Sequence, residues 1–126
     1  MTAYRLCATA LATAFAILCA APAAIGAPFD GSWNMLVVTT GGHCGKIPVG
    51  LGIKGGRMYS TRGSFVFHPI QLSGRVSASG QVKLVGVAGP RIAHGTGRFS
   101  RSEGRGIWSG TGPSGLCSGV WSASRT

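Results

Sequence analysis

The chain has 126 residues, with 12 Lys and Arg against 2 Asp and Glu, a formal net charge of +10 and 22 Gly. That length fits one small domain. At 11% charged residues it is not a helical bundle laced with ion pairs, and so few carboxylates exclude chemistry that needs a cluster of them.

Residues 1–27 read as an export signal, leaving residues 28–126 as a single domain. Tyr4 and Arg5 form a short, positively charged start, Leu6 to Ala21 is an apolar run rich in Ala and Leu, and Ile25-Gly26-Ala27 supplies small residues for cleavage after Ala27. The run is shorter than the roughly 20 apolar residues that span a bilayer, and Pro22 interrupts it. Cys19 follows Leu18 rather than a small residue, which argues against lipid attachment there. Cleavage removes Arg5, Cys7 and Cys19 and leaves Cys44 and Cys117, which permit one pairing. In an exported chain, periplasmic or extracellular, that pair is expected to be a disulfide closing most of the domain into one loop.

With 22 Gly and 6 Pro, composition alone approaches that of low-complexity chains. Pattern decides for a fold, because apolar and polar residues alternate between Gly-rich turns at short intervals. Strands are expected at Ser32–Thr39, Ile47–Lys54, Arg57–Thr61 and Ser64–His68. In Ile70–Val87 a loop of Ala78-Ser79-Gly80 sets Val76 opposite Val82 and Gly74 opposite Leu84. A turn over Arg101-Ser102-Glu103-Gly104 sets Phe99 opposite Gly106 and Gly97 opposite Trp108. A turn centred on Ser114-Gly115 sets Trp108 opposite Trp121 and Gly112 opposite Cys117. One face then collects Ala93, Gly95, Gly97, Phe99, Gly106, Trp108, Gly110, Cys117, Gly119, Trp121 and Ala123, and small residues on a concave face leave room for large rings. The expectation is all-β: a small antiparallel meander barrel of seven to nine strands with one disulfide, or as the alternative a β-sandwich.

The motif G-x-W occurs at Gly31-Ser32-Trp33, Gly106-Ile107-Trp108 and Gly119-Val120-Trp121. Its structural reading is a glycine making room beside a buried indole; its binding reading is a set of stacking platforms. The start Phe29-Asp30-Gly31-Ser32-Trp33, Cys44, the Gly-rich hairpins and the ending Cys117-Ser118-Gly119-Val120-Trp121-Ser122-Ala123-Ser124-Arg125 resemble a family of short exported alphaproteobacterial β-rich proteins. That resemblance spans the mature chain and implies no mechanism; automatic labels within the family mention haem utilisation or adhesion. More distantly, G-x-W in the first strand is similar to lipocalin, avidin and bacterial metalloprotease-inhibitor barrels, which carry one early motif where this chain has three. No ligand-binding residue carries over from them.

Asp30 and Glu103 sit beside the domain's start and in a predicted turn, so neither a glycosidase pair nor an acidic metal site is expected. His43, His68 and His94 lie on separate segments without the close spacing of a metal or haem site, and no Gly-x-Ser-x-Gly elbow opens a helix. The chain therefore reads as non-enzymatic, with no cofactor and no metal. The basic surplus carries the binding signal. Arg75 falls opposite Lys83 on the outer face, which is unfavourable unless something offsets it. With Arg98, Arg101 and Arg105 these residues are expected to contact anionic cell-envelope or extracellular polymers, such as lipopolysaccharide or an anionic polysaccharide. Export and the lack of a recognition motif disfavour nucleic acid. The alternative is a small-ligand carrier or protease inhibitor of lipocalin-like barrel type, using a site near Trp33, Trp108 and Trp121.

Overall fold

The computed structural model describes residues 27–126. The predicted leader lies outside the described residues except for Ala27, which opens a 3-10 turn, Ala27–Phe29. Ten strands follow: β1 (Gly31–Gly41), β2 (Lys46–Lys54), β3 (Arg57–Arg62), β4 (Ser64–Phe65), β5 (His68–Pro69), β6 (Gln71–Val76), β7 (Gln81–Ala88), β8 (Arg91–Phe99), β9 (Glu103–Gly112) and β10 (Gly115–Arg125). Eight of them form a closed antiparallel barrel in the order β1-β2-β3-β6-β7-β8-β9-β10, with β10 pairing back onto β1. Closure leaves no free edge strand and excludes the sandwich. Cys44 and Cys117 are joined, with a Cα–Cα distance of 6.2 Å.

The expected strand Ser64–His68 is instead two short strands folded against each other, Ser64 with Pro69 and Phe65 with His68. Val66 and Phe67 at the tip both have positive φ, 49° and 66°, the backbone that a two-residue hairpin turn demands. This small hairpin leaves the barrel between β3 and β6.

The hairpin β6–β7 has the expected register, Val76 with Val82 and Gly74 with Leu84. Gly80 at its turn has φ +93°, a conformation that a side chain makes costly. The last two hairpins are corrected by two residues. Their turns are Arg101-Ser102 and Pro113-Ser114, so Phe99 lies opposite Gly104, Gly97 opposite Gly106, Trp108 opposite both Gly95 and Gly119, and Cys117 opposite Gly110. A two-residue shift keeps every side chain on its face, so alternation cannot distinguish the two registers. Steric fit does. Trp121 sits opposite Gly106, and a Cβ on Gly106 or Gly97 would run into its indole.

The two ends of the barrel differ. At one end, which we call closed, the chain returns over the barrel: Phe29, Trp33, Phe99 and Trp121 are all buried. The rings of Trp33 and Phe99 meet edge to face at 4.8 Å, and Phe99 lies 5.7 Å from Trp121. Trp33 Nε1 donates to Phe29 O at 2.9 Å. The Arg125 guanidinium stacks on the Trp33 ring at 4.5 Å and donates to the carbonyls of Pro28, Asp30 and Arg101. The opposite end carries the β1–β2, β7–β8 and β9–β10 turns, the β4–β5 hairpin and the disulfide.

Candidate functional site

Towards that second end the inward residues become small: Gly86 and Ala88 on β7, Ala93 on β8, Gly110 and Gly112 on β9. What they leave unfilled is an apolar cavity of about 110 Å³. Met35, Leu84 and Trp121 form its floor, Val37, Ile47, Leu72 and Trp108 its walls, and Phe65, Ile70, the disulfide and Ser114 its mouth. Trp108 is half-buried, and its Nε1 donates to Val38 O at 3.2 Å, which fixes the indole against the wall. Trp121 Nε1 is likewise satisfied by Thr96 O at 3.3 Å. Both rings therefore offer only their apolar surfaces to the cavity.

Arg91 is the one charged residue in the lining. Its stem lies across Gly112, where a Cβ would come within 2.6 Å of Arg91 Cγ, and its guanidinium stands 5.3 Å above the Phe65 ring. The side chain thus crosses the mouth between β9 and the β4–β5 hairpin. The one ion pair among the described residues joins Arg105 to Glu103 at 3.9 Å, far from this end. Several exposed apolar side chains also gather here, with Leu116 75% exposed and Phe67 fully exposed.

The three tryptophans of the carrier alternative do not form one site. Trp33 is sealed at the closed end under Arg125, while Trp108 and Trp121 line the cavity. Of the basic residues, Arg75 and Lys83 face each other, and Arg98 and Arg105 face each other, all exposed on the outer wall. Arg98 pairs with Gln81, two residues from Lys83, so the two pairs are diagonal neighbours. Arg101 is exposed in the turn of the same β8–β9 hairpin that carries Arg98 and Arg105. The residues missed by sequence reasoning are Lys54 and Arg57, which continue the Arg75–Lys83 row, and the small residues and Arg91 of the cavity.

His43, His68 and His94 do not converge, and no group of three or more His, Cys, Asp or Glu is placed to hold a metal among the described residues. His68 Nδ1 is 2.9 Å from Val66 O, which braces the tip of the small hairpin. No family model matches the chain, and no curated protein is similar to it.

Proposed function

We propose that the protein is an exported, non-enzymatic carrier for a compact apolar molecule with an acidic group at one end. The observation that carries this reading is the cavity: apolar, open at one end of a barrel whose other end is plugged, and lined by two indoles whose N–H groups are already satisfied. Natural cores rarely leave such space unfilled, and an apolar void of about 150 Å³ is enough to bind benzene. The cavity here is smaller, about 110 Å³, but it opens at the mouth, so it suits at most one aromatic ring or a short branched chain whose head group stays outside, not a long acyl tail. Arg91, aimed across the mouth without a carboxylate partner, supplies the charge that would hold an acidic head. The disulfide supports an oxidising compartment, periplasmic or extracellular.

Titration with phenylacetate and with phenethyl alcohol, read by the fluorescence of Trp108 and Trp121, tests this. Phenylacetate is expected to give a saturable change that Ala93→Leu, which fills the cavity, abolishes. Arg91→Gln is expected to remove a preference for the acid over the alcohol of about tenfold while leaving alcohol binding in place. A parent protein whose fluorescence does not respond to either compound, or an Ala93→Leu variant that responds like the parent, overturns the carrier reading.

A further inference from the structure

The outer wall carries a feature independent of the cavity. We propose that the outer face of β2, β3, β6 and β7 binds a linear anionic polysaccharide, with Tyr59 as the platform for a sugar ring and Lys54, Arg57, Arg75 and Lys83 as the ladder for its carboxylate or sulfate groups. The pairings make the ladder continuous: Lys54 opposes Arg57, Arg57 opposes Arg75, and Arg75 opposes Lys83, all four exposed. Neighbouring strands lie about 4.8 Å apart, so four rungs present a line of positive charge about 14 Å long. Each opposed like-charge pair is destabilising, and no acidic side chain is paired with any of the four. The Asp30 carboxylate accepts from Gly55 N–H at 2.9 Å in the turn between Lys54 and Arg57 without forming an ion pair with either, so it borders one end of the row and leaves Arg75 and Lys83 without an internal counter-ion. A row of opposed cations compensated only at one end is a surface arranged for an external anion.

The platform is built into the same wall. Tyr59 lies over Gly52, where a Cβ would come within 2.6 Å of its Cε2 and hydroxyl, and the side chain remains 48% exposed. Gly50 gives Arg62 the same kind of seat, and Arg62 Nη2 donates to Asn34 Oδ1 at 2.7 Å. Along β3 the outward order is therefore Arg57, Tyr59, Arg62: a fixed aromatic face with a guanidinium on either side. The apolar C–H face of a sugar ring packs on such a surface. Single-stranded nucleic acid needs a succession of aromatic steps, and here there is one. An anionic bilayer needs apolar side chains beside the cations, whereas the exposed apolar residue of these strands, Val87, stands four residues along β7 from Lys83, toward the open end, and Ile107 and Val120 project from β9 and β10 across the barrel.

The test is elution from heparin–agarose and competition by polygalacturonate, with oligo(dT) as the nucleic-acid arm. The parent is expected to be retained and displaced by salt; Arg57→Gln/Arg75→Gln is expected to elute at clearly lower salt, with a flatter dependence of affinity on salt and no loss of thermal stability. Tyr59→Ala is expected to weaken polygalacturonate binding about fivefold at fixed salt, and Gly52→Val, which lifts the ring while keeping it, to do the same. The charge-matched Arg101→Gln/Arg105→Gln variant is expected to elute close to the parent. Equal shifts from the two double variants would reduce the site to net charge. Unchanged affinity in Tyr59→Ala, or stronger competition by oligo(dT) than by polygalacturonate, also overturns the proposal.

Discussion

Arg125 shows how little exposure says about a residue's role. It is exposed and next to the C-terminus, yet its guanidinium covers the Trp33 ring and its donors reach carbonyls ahead of β1 and in the β8–β9 turn, Asp30 O at 2.7 Å among them. The planar fork is what allows one side chain to stack and to donate in three directions at once; an ammonium cannot do both. Arg125→Ala is expected to cost about 2–3 kcal/mol, from the lost stacking and the charged hydrogen bonds together. Arg125→Lys should recover only a small part of that. Thermal unfolding followed by near-ultraviolet circular dichroism of the indoles decides it: a lysine variant melting with the parent would show that charge alone holds the closed end.

At the scale of elements, the β4–β5 hairpin is where the sequence and its backbone disagree. A two-residue turn with both φ values positive favours Asn-Gly, and here it is Val66-Phe67, with a β-branched residue at φ 49°. Val66→Asn/Phe67→Gly is expected to raise stability by about 1 kcal/mol, or about 5 °C in Tm; a lower Tm would show that the two side chains hold contacts worth more than the strain. Alternation and Gly-rich turns placed the barrel strands and the β6–β7 register, because Gly80 marks its turn unambiguously. They could not locate Val66-Phe67, which lacks every turn residue, and they misplaced the β8–β9 and β9–β10 registers by two because strand periodicity repeats every two residues. The signal that would have corrected them is in G-x-W itself: the Trp121 indole needs glycine on the strands beside it, and Gly106 lies opposite it with Gly97 one strand further on. The cavity is harder to read, being made of what Gly86, Ala93 and Gly110 do not fill, and the cation ladder depends on β3 pairing with β6 across an inserted hairpin.

The whole molecule has two ends that are held by different means. Aromatic packing and Arg125 hold the closed end, where the rings fill the space. The open end cannot be held that way without filling its cavity, and there the Cys44–Cys117 bond ties the β1–β2 turn to β10 while both sulfurs line the void. The bond spans 73 residues of sequence, nearly the whole barrel, and removing a native bridge of this kind from a small domain costs about 2–5 kcal/mol. Cys44→Ala/Cys117→Ala is therefore expected to lower Tm by about 10 °C or more. Because the loss falls at one end, amide exchange should separate the two: backbone amides of β1 and β10 near Cys44 and Cys117 should lose protection well before those around Trp33 and Phe99. Uniform loss of protection along the strands would mean that the barrel opens only as a unit, and that the bridge acts on the unfolded chain rather than on the mouth.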